Sequence, residues 1–153
     1  MTTVTAPQLA TGHVGLNVSD LDRSVDFYRR ALGFEQLAAG DAAERRWAFL
    51  GADGKLVITL WEQSDGAFST ETPGLHHLSF QVEDIEQVRA VESVLRELSV
   101  RFVHDGVVAH GEGVSSGGIF FTDPDGIRLE VYAPTGAESA PAPSGAAPTC
   151  GFF

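Results

Sequence analysis

Apolar and polar residues alternate over 13–18 and again over 77–82, and the two stretches read almost alike, HVGLNVSDL at 13–21 and HLSFQVEDI at 77–85. A period of two sends residues of one parity to one face of a sheet and the others to the opposite face. Val14, Leu16 and Val18, with Leu78, Phe80 and Val82 in the second copy, make an apolar face suited to a helix-covered core. His13, Gly15 and Asn17, with His77, Ser79 and Gln81, fall on the polar side, where a solvent-accessible cavity can lie. The period then lengthens. Leu21, Val25, Tyr28 and Leu32 recur at helical spacing behind a capping Asp20, and Gly33 supplies the stop. Ile85, Val88, Val91, Leu95 and Leu98 do the same behind Asp84, with Gln87 placed for a capping box.

The alternation returns after each helix. Strands are predicted over 34–38, 46–50 and 56–61, with Asp53 and Gly54 turning the last pair, and over 101–108, 118–122 and 127–132, with Asp123-Pro124-Asp125-Gly126 as the matching turn. The plan is thus strand, helix, three strands, written twice: module one over 11–62 and module two over 75–134, joined by a polar loop, in a single domain. Residues 1–10 read as a flexible lead-in. Residues 135–153 are an Ala/Pro/Ser-rich linker ending in Cys150, Gly151, Phe152 and Phe153. For that tail two readings stand side by side, an unstructured end with incidental aromatics, or a segment docked on the rim of the cavity that brings Cys150 to an open metal position.

Composition narrows the partners. The 153 residues carry a formal net charge of −11 with no basic cluster, so nucleic acid and anionic membranes are not expected to bind. No apolar run approaches a membrane span, residues 1–10 lack the charged and apolar regions of a secretory signal, and one cysteine cannot form an internal disulfide. A cytoplasmic protein is expected, acting on a small molecule. Sheet edges left open by two curved modules lead to the expectation of a homodimer.

On the last strand Arg128, Glu130 and Tyr132 share one parity, so Glu130 joins His13 and His77 on the polar side. Two histidines and one carboxylate on three strands can form a facial triad that leaves coordination positions open. These three are the candidate ligands for a divalent metal.

The His-x-x-aliphatic-x-Val-x-Asp-Leu run at 13–21, the second His-x-x-Phe-x-Val at 77–82 and the closing FTDPDGIRLE at 121–130 resemble the vicinal oxygen chelate superfamily. That group includes glyoxalase I, extradiol ring-cleaving dioxygenases, fosfomycin-modifying transferases, methylmalonyl-CoA epimerase and the metal-free bleomycin-binding proteins. The resemblance covers about 11–134 and implies an α+β fold of two βαβββ modules forming a cupped, open mixed β-barrel, with the metal held in the cup by His13, His77 and Glu130. It leaves His76, of opposite parity, as structural.

The chain departs from that pattern in two places. Glyoxalase I carries a fourth ligand, a glutamate on the last strand of module one, where Ile58 or Thr59 stands here; neither supplies a carboxylate. Extradiol dioxygenases carry a tyrosine three residues before the Asp-Pro turn, where this chain has Phe120. His110 or Tyr132 would have to handle the proton instead. Asn17, Trp47, Thr59, Trp61, Gln81 and Phe120 are the candidate pocket residues, Phe49 fits the core better, and His104 fits a loop or strand edge. The expectation is a metal-dependent enzyme for a substrate with vicinal oxygens, an extradiol-type dioxygenase with Fe(II) as the specific guess. The alternatives are a glyoxalase-like lyase or isomerase on Mn, Zn, Ni or Co, and a metal-free protein that sequesters a drug or metabolite.

Overall fold

Each aspartate expected to cap a helix does so in the computed structural model, which describes residues 5–153. The Asp20 carboxylate accepts from the Arg23 N–H at 3.0 Å and that of Asp84 from the Gln87 N–H at 2.9 Å, each satisfying a backbone donor that the first helical turn leaves free. Gln87 in turn accepts from the Glu83 N–H. The first module runs β1 (Val14–Val18), α1 (Leu21–Leu32), β2 (Glu35–Ala42), β3 (Arg45–Ala52) and β4 (Lys55–Glu62). The second runs β5 (Leu78–Gln81), α2 (Ile85–Glu97), β6 (Val108–Ala109), β7 (Gly117–Thr122) and β8 (Arg128–Ala133).

Two four-stranded mixed sheets result, ordered β1-β4-β3-β2 and β5-β8-β7-β6, each with one parallel pair at its inner edge. The fold is α+β, as expected, and the sheets stay separate rather than closing into a barrel. Between the inner edges lies a cleft of about 540 Å³, with Gly12 and Val14 on one side and Leu78, Ser79 and Phe80 on the other. One apolar core joins the modules: Leu16, Val18, Leu50, Ile58 and Leu60 from the first sheet, Ile119, Phe121, Leu129 and Val131 from the second, and Tyr28, Val88 and Leu95 from the helices. Tyr28 is fully buried and donates its hydroxyl to Asp123 at 2.8 Å, tying α1 to the β7–β8 turn. Ser19 and Arg23 both hold Asp125 of the same turn.

Two sequence expectations are corrected here. The strand predicted over 101–108 is absent: Phe102 makes an isolated bridge to Phe121, and regular pairing resumes only at Val108 and Ala109. Asp105-Gly106 interrupts the run, Gly106 taking φ 74°, a conformation incompatible with a strand. The segment beyond 134, read as a linker with no part in the core, is laid along the outer edge of the second sheet. The Ala109 N–H donates to the Pro141 carbonyl at 2.8 Å, the Glu112 N–H to that of Gly145 at 3.0 Å, and Ala137 and Thr149 are buried. The edge at β6 is therefore covered by the chain's own backbone. Of the lead-in, residues 1–4 lie outside the described residues, and 5–10 form no helix or strand.

Candidate functional site

Strand register decides which side chains meet. Ser79 on β5 pairs with Glu130 on β8, and Glu130 with Phe120 on β7; one step along, Gln81 pairs with Tyr132 and Tyr132 with Gly118. These residues occupy one face, and His77, two residues before Ser79, extends it. The Glu130 side chain is only 4% exposed. The Ser79 hydroxyl donates to its Oε1 at 2.5 Å, His110 Nε2 lies 2.6 Å from its Oε2, and His77 Nε2 stands 4.0 Å from Oε1. Among the described residues its ion-pair partners are histidines alone. A buried carboxylate with neutral or weakly basic neighbours is a seat for a cation.

The supporting groups fix orientation. His110 Nδ1 lies 2.8 Å from the Ser116 hydroxyl, which leaves Nε2 for Glu130, and the Tyr132 hydroxyl donates to Gln81 at 2.8 Å beside the His110 ring. His76 Nδ1 lies 2.8 Å from His77 Nδ1, so the residue assigned a structural part by its parity holds the candidate ligand's ring with Nε2 towards Glu130. Burial draws His77 below the ordinary histidine value, against the opposing pull of the Glu130 charge, which favours the neutral imidazole a metal needs. His110, which follows a two-residue strand, is thus brought to the centre of the cluster. His104 flanks Phe120, its Nε2 buried without a hydrogen-bond partner, and burial lowers its pKa.

The other candidates lie on the first sheet. Trp47, Phe49 and Trp61 cluster with ring centroids 4.7 to 6.3 Å apart, so Phe49 shares the inner face with the tryptophans and is only partly buried. Trp61 Nε1 donates to the Thr59 hydroxyl at 3.0 Å, and Gln63 donates to the Asn17 side chain at 2.6 Å. The register also resolves the choice left between Ile58 and Thr59: Thr59 pairs with Gly15 as Glu130 pairs with Ser79, so Thr59 stands at the repeat position of the carboxylate.

Tested against a divalent metal, the donors fit in part. His77 and Glu130 come together with their donor atoms facing. His13 is exposed just before β1, between two residues that line the cleft, and among the described residues no three His, Cys, Asp or Glu side chains gather closely enough to hold an ion. Ser79 and Arg128, already placed on this face by strand parity, were not among the candidate site residues, and Ser116, just ahead of β7, carried no signal in the sequence.

A family model described as the Glyoxalase/Bleomycin resistance protein/Dioxygenase superfamily matches residues 10–131. The chain belongs to that superfamily. It is 30% identical over 125 residues to a catechol-2,3-dioxygenase of Bacillus subtilis, covering 80% of this chain and 40% of the relative, and so spans less than half of that protein. It is 32% identical over 124 residues to a lactoylglutathione lyase of Neisseria meningitidis, with 77% of this chain and 86% of the relative covered. A crystal structure of a glyoxylase/bleomycin resistance protein/dioxygenase domain from Frankia sp. EAN1pec superposes with a TM-score of 0.73 at 28% identity, over 83% of this chain and 98% of the other. Residues beyond 131 lie outside the family match.

Proposed function

We propose that this superfamily member is a divalent-metal enzyme for a small substrate with vicinal oxygens, and that its reaction is of the extradiol-dioxygenase type with Fe(II). The observation that carries the reading is the buried Glu130 carboxylate facing His77, held by Ser79 and His110. His77 and Glu130 supply two ligands. His13 supplies the third, either across the cleft or from a second copy of the chain in a homodimer. A metal so held would act as a Lewis acid and bring substrate and co-substrate together.

The chain's own groups do the rest. His110, bonded through Nδ1 to Ser116, donates from Nε2 to the Glu130 carboxylate in this arrangement; with that carboxylate turned to a metal and the ring proton on Nδ1, Nε2 would be free to take a proton from a substrate hydroxyl. Tyr132 and Gln81 form a polar wall, and Phe120 a flat apolar one. Thr59 at the repeat position of Glu130 offers no carboxylate, which weighs against the four-ligand lyase or isomerase reading. The Trp47, Phe49 and Trp61 cluster favours a second reading, a metal-free binding protein.

The deciding experiment is elemental analysis of anaerobically purified, Fe(II)-loaded protein beside His77→Ala. The expected result is close to one metal per wild-type chain and little in the variant, since loss of one of three ligands weakens a site severely. Equal metal content would overturn the assignment, and wild-type protein that retains no metal would favour the binding-protein reading.

A further inference from the structure

The residues that cover the candidate site come from the segment outside the family match. Thr149 is fully buried and anchors that segment: its N–H donates to the His110 carbonyl at 2.9 Å and its hydroxyl to the Ala109 carbonyl at 2.6 Å. A single 3-10 turn, Thr149–Gly151, follows, closed by the Phe152 N–H on the Thr149 carbonyl. The turn separates the two aromatics. Phe152 points out, 58% exposed, while the Phe153 ring lies 5.3 Å from the His77 ring and 5.2 Å from the Phe120 ring, with the Arg128 guanidinium carbon 5.4 Å from its centroid. The Phe153–His77 planes meet at 33°, a tilted stack, and the Phe153–Phe120 planes at 71°, an edge contact. One six-membered ring is thus held by an imidazole, an aromatic edge and a cation, beside the nitrogen that faces Glu130.

We propose that 149–153 is a tethered occupant of the candidate site: Phe153 fills a position shaped for an aromatic ring, and a ring-bearing small molecule enters only by displacing it. The anchor and the occupant are separate. Thr149 is fixed by two hydrogen bonds to the β6 edge, whereas among the described residues Phe153 is held by ring contacts, so the ring can leave while the anchor stays. A segment docked nine-tenths of the time would weaken the apparent affinity of a competing ligand about tenfold, because only the open fraction binds. The ligand class, an aromatic diol, rests on the function proposed above; the covering of His77 does not.

The test separates the two. In metal-free protein, the rate at which diethyl pyrocarbonate modifies His77 is followed by mass spectrometry in the full chain, in Phe153→Ala, in Phe152→Ala and in a chain ended after Pro148. His77 should react several-fold faster in Phe153→Ala and the shortened chain, at the wild-type rate in Phe152→Ala, and exposed His13 should react equally in all four. Equal His77 rates in the full chain and Phe153→Ala would overturn the proposal. In metal-loaded protein, titration with 4-nitrocatechol, followed by its visible absorbance, should show about tenfold tighter binding to Phe153→Ala; equal affinities would also overturn it. If none of the four chains binds the probe, the aromatic-diol reading of the site fails, and the His77 rates alone decide whether the segment covers it.

Discussion

The two modules share a backbone plan and differ in what they hang on it. Phe49 lies across from Thr59, and Thr59 from Gly15; in the second module Phe120 lies across from Glu130, and Glu130 from Ser79. One step along, Trp47 pairs with Trp61 where Gly118 pairs with Tyr132. The first inner face is therefore aromatic and nearly without charge, the second polar with a buried carboxylate. Surroundings account for the difference. Glu130 has Ser79 and His110 as donors, whereas Thr59 faces Gly15, which offers no side chain, and one indole N–H from Trp61. A side chain at Gly118 would meet the Val131 carbonyl at 2.0 Å, so the second sheet stays bare where the first carries a tryptophan. A repeat can keep its fold while confining its chemistry to one half.

If that chemistry needs only one residue from the first module, His13, the largest effect should come from separating the halves. His13→Ala and Glu130→Ala chains are each expected to retain little metal, and an equimolar mixture should regain up to one site per two chains if the ligands come from different copies. Elemental analysis of the mixture, with light scattering at micromolar concentration, checks this; a monomer that binds metal, or a mixture that regains none, would place all three ligands in one chain. Next in size is Thr59→Glu, which asks the aromatic face to accept the group its counterpart holds. Thr59 is 3% exposed, and a buried carboxylate with one indole N–H and no cation beside it should cost about 3 kcal/mol. Thr59→Val, which removes only the acceptor for Trp61, should cost about 1 kcal/mol. Urea denaturation measures both. A well-tolerated Thr59→Glu chain with raised metal affinity would show that the first face retains room for a fourth ligand, against the contrast between the two faces.

The modules are also joined unequally, since α1 reaches across to the β7–β8 turn through Tyr28. Tyr28→Phe removes the hydroxyl that donates to the buried Asp123 and should cost about 1.5 to 3 kcal/mol. Burial first, then the charge and hydrogen bond of Asp123, hold the Tyr28 hydroxyl well above the ordinary tyrosine value. A group whose pKa is raised on folding stabilises fully below its unfolded value and loses that contribution as pH rises towards the folded one. Wild-type stability should therefore fall above about pH 10, and Tyr28→Phe should fall less steeply there. Parallel alkaline limbs in thermal melts at several pH values would refute this role for Tyr28.

The parts of this arrangement that follow a period were legible in the sequence. The alternation that set Ser79 and Glu130 on one side of their strands survives as register, His77 lies just ahead of β5 with its ring facing Glu130, and both capping aspartates sit where the helical period began. His110 carried no such signal, because a two-residue strand has no measurable alternation and its approach to Glu130 depends on the loop that brings Ser116 back. The stretch 134–153 misled for a different reason. Alanine, proline and serine show no apolar period, yet this stretch is held largely by backbone donors and acceptors, which every residue but proline carries in full. His13 lies just outside β1, and a position on a strand face does not determine which copy of the chain it serves.

The smallest effect concerns how the two helices end. α1 closes on Gly33 at φ 71°, a left-handed cap whose N–H reaches back to the Arg29 and Tyr28 carbonyls. After α2 the left-handed position is Ser99 at φ 56°, one residue beyond the Leu98 cap. A side chain costs about 1 kcal/mol in that conformation, and glycine adopts it freely. Gly33→Ala should therefore destabilise by about 1 kcal/mol, although nothing stands within 4 Å of the added carbon. Ser99→Gly should stabilise by somewhat less, because relief of strain is offset by the extra freedom glycine has in the unfolded chain. Opposite signs for the two substitutions in urea melts would trace the difference between the helix ends to the left-handed residue alone; two losses would mean that the Ser99 side chain contributes to packing beyond α2.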